Sequence, residues 1–387
     1  SEAEKAAQLD KLVAAITGLD ADIIGLQEIE NNGPVAIGEL IDALNAAEGA
    51  GTWAAAADPD YPGGLEATNA IKVGIIFKTA MVTPVGTTEV SEDPSFATDR
   101  PAIAHSFVAY GDTFTVINNH FKSKSSRNAE GLDEDQGDGQ GAYNARRTAQ
   151  AAAVLEFAIE RMAAVDDPDV LVIGDFNSYS MEDPIATLEA GLLTNLVKKY
   201  VAQEDSYSLV FFGAQGLLDG AFATASLEEK VTGLDIWHIN ADEPRVLQYN
   251  DDVVDPAERS SDFNQPVSMA DEFSSSDHDP VIVGLQLSGT VSLGYSTEND
   301  RSAPSSLIGA TVSGRIYPFV LPIDPGLDFT TVDFYLDGVH ARTEYLAPYD
   351  FAGGLLTMAT VWDTSTVADG EHTMEAVSYT HLRAHET

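Results

Sequence analysis

Apolar positions recur at helical spacing over the first residues: Leu9, Leu12, Val13, Ile16 and Leu19 fall on one face. From Asp22 onward the pattern changes. Short runs rich in Val, Ile and Phe occur at 22–27, 71–77, 103–108, 114–118, 170–173, 208–211, 221–223 and 281–285, and their length and content predict buried strands. Helical spacing returns at 35–47, 143–164 and 183–189. The long middle segment puts Ala149, Ala152, Ala153, Leu155, Ala158, Ile159 and Met162 on its buried side. Most consecutive strands are joined by turns and not by helices. That predicts mixed sheets with helices outside them, not a doubly wound parallel sheet.

The pattern shifts again near residue 288. A Ser/Gly/Thr/Asn-rich stretch over 288–306 reads as a linker or the start of a new domain. Short strands are expected beyond it at 310–316, 331–336, 341–345 and 373–376, with Asp337-Gly338 as a hairpin turn, an all-β pattern of sandwich type. Residues 377–387, VSYTHLRAHET, resemble the translation of a sequencing-library adapter and are expected to be a non-biological scar, with a real final strand as the alternative. The division expected is therefore 1–287, a linker at 288–306, a β domain at 307–376 and the scar at 377–387.

Charge narrows the functional classes. The 387 residues carry 62 Asp and Glu against 20 Lys and Arg, a formal charge of −42. Binding to nucleic acid through a generic basic surface is excluded, so a phosphate-bearing substrate must be met by a few placed cations or by metal. The regular apolar segments argue for a folded protein with an acidic, solvated surface rather than disorder. Self-repulsion of that size weakens as the Debye length shrinks to about 3 Å near 1 M salt, so a saline source and halophilic behaviour are expected. With no cysteine, disulfides, thiolate catalysis and Cys-based metal sites are excluded. No apolar run reaches transmembrane length.

Four motifs carry chemistry, each beside an apolar strand. Gln27-Glu28 places a carboxylate that can hold a hard divalent cation just past a strand, or one that is simply solvated. Asn119-His120-Phe121-Lys122-Ser123-Lys124 sets a His among cations. With Arg127, Arg146 and Arg147 these lysines form either a phosphate path or a set of surface ion pairs. In Gly174-Asp175-Phe176-Asn177 the Asp accepts and the Asn both donates and accepts, so the pair can orient a water. In Ser276-Asp277-His278-Asp279-Pro280 a His flanked by carboxylates has the partner and the near-neutral intrinsic pKa of a general base. Together they are the equipment of metal-assisted phosphate-ester hydrolysis.

Those motifs, with DADIIGLQEIENNG, AIKVGIIF, DQGDGQGAYNARR and WHINADEP, resemble the endonuclease/exonuclease/phosphatase superfamily over about residues 4–287, and within it the bacterial extracellular nucleases. The resemblance implies an α/β four-layer sandwich of two mixed β-sheets flanked by helices, with the active site among the loops at one edge. It implies Glu28 as ligand of Mg²⁺ (or Ca²⁺ or Mn²⁺) and Asp277 in support of the metal. His120 would stabilise the transition state or protonate the leaving oxygen, Asp175 and Asn177 would position water and phosphate, and Asp219 would orient the general base His278. The family's first strand, with an Asn that helps bind the metal, would precede Ser1.

Substrate contacts are expected from Asn119, Lys122, Lys124, Arg146 and Arg147. Trp237, His238 and Asn240 are expected along a nucleic-acid groove, with packing as the alternative for Trp237. The loop carrying Asp133, Asp135 and Asp138 loosely resembles a structural calcium loop. The C-terminal segment FYLDG…APYDF resembles a bacterial immunoglobulin-like domain. The implied function is a secreted or cell-surface, monomeric nuclease acting on DNA or RNA. The alternatives are a phosphoesterase acting on small phosphoesters or lipid head groups, and an inactive adhesion protein.

Overall fold

The computed structural model describes residues 2–59, 61, 69–244, 269–321, 329 and 331–386. They divide into two compact units: residues 1–107 with 113–284 and 383–387, and residues 108–112 with 285–382.

The first unit opens with α1 (Glu2–Leu19), β1 (Ile23–Glu30), α2 (Val35–Glu48), β2 (Trp53–Ala55) and β3 (Ile71–Lys78). Next come β4 (Thr83–Val90), β5 (Arg100–Ala109), β6 (Asp112–His120), α3 (Asn144–Val165), β7 (Val170–Asp175), α4 (Asp183–Ala190), β8 (Leu193–Asn195) and α5 (Leu196–Tyr200). The hairpin β9 (Leu209–Phe211) and β10 (Ala214–Gly216), then β11 (Asp219–Thr224), α6 (Ala225–Glu228), β12 (Val231–Ile236) and the first residues of β13 (Val281–Thr290), complete it. The expected strands and the three expected helices are all present. β2, β4, β8, β10, β12, α5 and α6 were not expected. β4, TPVGTTEV, is polar and largely exposed, so it lacks the apolar run that marks a buried strand.

The strands form two mixed sheets. In one, β1 lies antiparallel to β3 and β3 antiparallel to β2, while Ala384–Glu386 run parallel to β1. In the other the order is β4-β5-β6-β7-β11-β8, with β6 and β7 parallel and β11 antiparallel to β7. Helices α1 and α2 cover the first sheet through Ile16, Leu19, Ile37, Leu40 and Leu44 against Ile24, Leu26 and Ile76. Helices α3 and α4 cover the second through Ala151, Val154, Phe157, Ala158, Ile185 and Leu188 against Ile117, Val170 and Val172.

The inner faces meet closely. The Asn118 side chain of β6 donates across to the carbonyls of Leu26 (3.0 Å) and Gly74 (2.8 Å) and accepts from Gln27 Nε2 (2.6 Å). Gly25 permits that approach: a Cβ there would lie 2.9 Å from the Asn118 carboxamide and 2.8 Å from Ile173. A buried amide with its hydrogen bonds made fixes the register of the two sheets, since each bond exists in one alignment only.

The second unit is all-β among its described residues. Ser292–Ser296 pairs antiparallel with Arg315–Leu321, and Thr331–Leu336 pairs antiparallel with both Val339–Glu344 and Met374–Glu386. Val332, Phe334, Phe329, Tyr349, Phe351 and Ala376 form its core. Of the two readings of 288–306, the start of a new domain fits: it lies in the second unit and contains the strand Ser292–Ser296, with Leu293 buried under its Ser/Gly composition. The strand expected at 310–316 begins instead at Arg315, where buried Ile316, Phe319 and Val320 take over from the turn residues.

Candidate active site

The site is assembled by register. β6 and β7 run parallel with His120 opposite Asp175, and β7 pairs antiparallel with β11 with Asp175 opposite Asp219. Three neighbouring strand ends therefore present His120, Asp175 and Asp219 side by side, although the sequence separates them widely. The fourth member comes from the loop before β13: His278 Nδ1 lies 2.7 Å from Asp219 Oδ2. His120 Nε2 lies 3.3 Å from Asp175 Oδ2.

Asn177 is fixed to Asp175 twice, its backbone N–H donating to Oδ1 (2.7 Å) and its carboxamide to Oδ2 (2.8 Å). The turn that allows this holds Asn177 at φ +47°, a conformation Asn tolerates better than most residues. Gly174, at φ +148°, is obligatory, because a Cβ would fall 2.1 Å from the Asn119 carbonyl oxygen. Below the site Phe176 packs edge-on against Phe121 and Phe222, with centroids 5.3 and 5.0 Å away. These contacts lock the strand ends at about 1 kcal/mol each beyond simple burial.

Electrostatics agree with the geometry. Burial and the neighbouring Asp219 raise the Asp175 carboxyl above the usual range, against the pull of His278, the Asn177 N–H and Arg100. Burial alone would lower His278, but Asp219, Asp175 and Asp277 outweigh it and push the imidazole up to about 11. His120 moves the other way, well below its ordinary value, through burial and the nearby charges of Arg100 and His278. The two imidazoles thus have opposite proton affinities, which separates their chemical roles.

Arg100 is the residue that the motifs did not reveal. It opens β5, donates to the Phe121 carbonyl at 2.7 Å, and feels the charges of Asp99, Asp175 and Glu28. It sits in a connecting TDRPA segment without a recognisable spacing. The available signal was its being one of only 20 cations in an acidic chain. It also places Glu28 at this edge: Glu28 is exposed, lies at a bulge between Leu26 and Ile29, and has φ +54°.

The residues fit a hard divalent cation. Among the described residues the group of His, Asp and Glu whose donor atoms converge is Asp175, Asp219 and His278, all within 4.8 Å of one another. A carboxyl whose proton affinity is raised by burial and by a neighbouring carboxylate, as at Asp175, marks a site short of positive charge, which a cation relieves. Asp277, like Glu28, is exposed and outside that group, and its charge acts on His278. Asp133, Asp135 and Asp138 do not converge. Asp133 pairs with Arg146 at 2.8 Å, while Asp135 and Asp138 each accept from a backbone N–H two residues on. The calcium reading of that loop is corrected accordingly.

The expected substrate contacts divide. Arg147 is fully buried and donates to Ser178 Oγ and to the carbonyls of Ala142, Gln140 and Lys122; it braces the loop and cannot reach a substrate. Asn119 is also fully buried, bonded to the Ile173 carbonyl. Trp237 packs on α1, its ring occupying the space beside Gly18, and is not in a groove. Asn240 is buried and holds the catalytic loop: its amide donates to the His278 carbonyl at 2.6 Å, and its oxygen accepts from the backbone N–H groups of Ser275 and Ser276. His238 stacks on Tyr207 and bonds buried Asp279 through Nδ1 at 2.8 Å. Lys122 and Arg146 pair with buried Asp99, and Lys124 pairs with Glu182. Packing and positioning thus replace direct contact for Asn119, Arg147, Trp237 and Asn240. Burial overrides side-chain chemistry at Asn119, Arg147 and Asn240.

A family model matches the chain. Residues 1–278 match the model of the Endonuclease/Exonuclease/phosphatase family. No curated protein matches the chain by sequence. Solved structures similar to it include truncated Caenorhabditis elegans TDP2 (12% identity, 71% of this chain and 88% of that one, TM-score 0.46). The human Nocturnin catalytic domain (15%, 59% and 76%, TM-score 0.42) and the Bacteroides thetaiotaomicron mannosyl-6-phosphatase Bt3783 (16%, 59% and 80%, TM-score 0.41) are also similar. With the match spanning most of the chain, and with His120, Asp175, Asn177, Asp219 and His278 gathered at one edge, the chain belongs to the Endonuclease/Exonuclease/phosphatase family, whose members hydrolyse phosphoesters.

Proposed function

We propose that the protein is a divalent-metal-dependent nuclease that hydrolyses phosphodiester bonds of DNA, with RNA as a second substrate. The observation that carries this reading is the Asp219–His278 pair, at 2.7 Å, set beside Asp175 and Asn177. Asp219 holds Nδ1 of His278 and aims Nε2 at the water; the acids that keep this imidazole protonated would have to be offset by a bound cation before Nε2 could take the proton. Asp175 and Asn177 orient that water and the phosphate. His120, neutral and buried, donates a hydrogen bond to a phosphate oxygen, and Arg100 supplies fixed positive charge against the growing negative charge. A divalent cation held by Glu28 with the nearby carboxylates would neutralise the phosphate oxygens. Secretion, a cell-surface location, a monomeric state, halophilic behaviour and an immunoglobulin-like second unit belong to the same proposal; the charge of −42 and the all-β second unit support the last two.

The test is conversion of supercoiled plasmid to nicked circles by the full chain with Mg²⁺, with Ca²⁺, and with excess chelator. Nicking that stops with chelator and returns with added metal is expected. Nicking that persists in chelator would remove the metal from the mechanism. Turnover of a small phosphate monoester with an untouched plasmid would favour the phosphatase alternative.

A further inference from the structure

The hairpin β9–β10 ends in two aromatic residues that nothing in the reacting centre requires. Phe211 is 62% exposed and Phe212 96%, and their rings touch edge to face at 4.5 Å. The loop between the paired residues Phe211 and Ala214 is two residues long, with Phe212 at φ +49° and Gly213 at φ +77°. A turn of this mirror-image type favours Asn, Asp or Gly in its first position. A bulky aromatic there costs conformational energy and gains no burial, the pattern of a residue kept for contact.

The base of the hairpin is tied to the site. Ser208, just before β9, accepts from the Asp279 N–H at 2.6 Å, and its hydroxyl accepts from the N–H groups of Leu218 and Asp219. Gly216, at the end of β10, lies under the ring of Tyr179. Tyr179 is two residues from Asn177, is 38% exposed, and carries Lys124 Nζ 4.8 Å above its ring. At about 3.3 Å per strand residue the tip stands roughly 10–13 Å beyond Ser208. Tyr179 thus lies at the base of the hairpin, next to the segment that carries Asn177, and Phe211 and Phe212 stand at its tip.

We propose that Tyr179, Phe211 and Phe212 form a stacking platform for the bases of single-stranded nucleic acid, a few nucleotides from the scissile phosphate. This rests on the nuclease reading and specifies its substrate as unpaired strand. Two observations select the occupant. Arg100 acts at the reacting phosphate, and of the cations along the adjoining loop and helix Lys122, Lys124, Arg146 and Arg147 are already paired with acids or carbonyls, so a −42 protein has little Coulombic attraction left for the rest of a strand. Stacking supplies the attraction instead and tolerates any base. A bilayer would engage only the protruding tip and leave Tyr179 unused at the base of the hairpin.

The experiment compares the full chain with the F211A/F212A and F211Y/F212Y double variants. Binding of fluorescein-labelled oligothymidylate is followed by anisotropy in chelator, at low and high salt. Hydrolysis of bis(4-nitrophenyl) phosphate with Mg²⁺ is measured in parallel. The alanine pair is expected to weaken binding about 10- to 100-fold at both salt concentrations. The tyrosine pair should restore it, and the small diester should be hydrolysed equally by all three. Unchanged oligonucleotide binding by the alanine pair overturns the platform alone. Loss of binding to phosphatidylcholine vesicles with oligonucleotide binding intact overturns it in favour of a membrane contact. If the unaltered chain hydrolyses the small diester yet binds no oligonucleotide, the nuclease reading falls, and the platform with it.

Discussion

Two polar clusters lie along the same strand ends and have opposite fates. Around His278 the charged groups face one another with charge left over: Asp175 and Asp219 repel, and His278 is drawn up to about 11 by the acids around it. Around Arg147 every charge is spent. That guanidinium goes to three carbonyls and a hydroxyl, Asp99 meets Lys122 and Arg146, and Glu182 meets Lys124. The first cluster stores an imbalance that a substrate or cation can relieve, whereas the second is scaffold. The difference is one of partners, not of residue type, since both clusters draw on Asp, Glu and basic side chains.

The contrast can be broken most sharply at its two centres. His278→Ala should lower plasmid nicking by about 10²- to 10⁴-fold, the range for removing a general base, and lower the melting temperature less than Arg147→Ala does, because the imidazole is partly exposed although buried Asp219 loses its partner. Arg147→Ala should do the reverse. Removing a fully buried guanidinium strands its carbonyl partners and Glu182, and urea unfolding should show a loss of about 3 kcal/mol. A stable, inactive Arg147→Ala protein would place Arg147 in the reacting centre and erase the distinction.

These two residues also show what the sequence discloses. His278 was legible because a His between two carboxylates beside an apolar strand has one economical use. The strands were legible because burial on both faces leaves continuous Val/Ile/Phe runs, as in β3 and β7. Arg147 could not be read, since nothing in YNARRTAQ tells which arginine turns inward. On α3 Arg146 stays at the surface with Asp133, and Arg147, one residue on, is enclosed. β4 was missed for the opposite reason: its polar face lies in solvent, so it carries no apolar run. Arg100 and the bracket made by Asn240 depend on contacts between distant segments, which spacing cannot encode.

Smaller effects sharpen the comparison. Self-repulsion among the surplus acids should fall as the Debye length shrinks from about 10 Å at 0.1 M to 3 Å at 1 M salt. The melting temperature is expected to rise over that interval, and a flat response would show that the acidic surface is not limiting stability. Arg146→Ala, which removes a partly exposed cation, should change stability by less than about 1 kcal/mol in urea unfolding. A larger loss would show that buried Asp99 depends on Arg146 as much as on Lys122.

The central claim is that Asp219 and His278 act as one catalytic unit. A double-mutant cycle on plasmid nicking, with Asp219→Asn, His278→Ala and the pair combined, tests it directly. The account predicts that the double variant is no slower than His278→Ala alone, because Asp219 acts through the imidazole. Losses that multiply would show that the two residues contribute separately, and would contradict it.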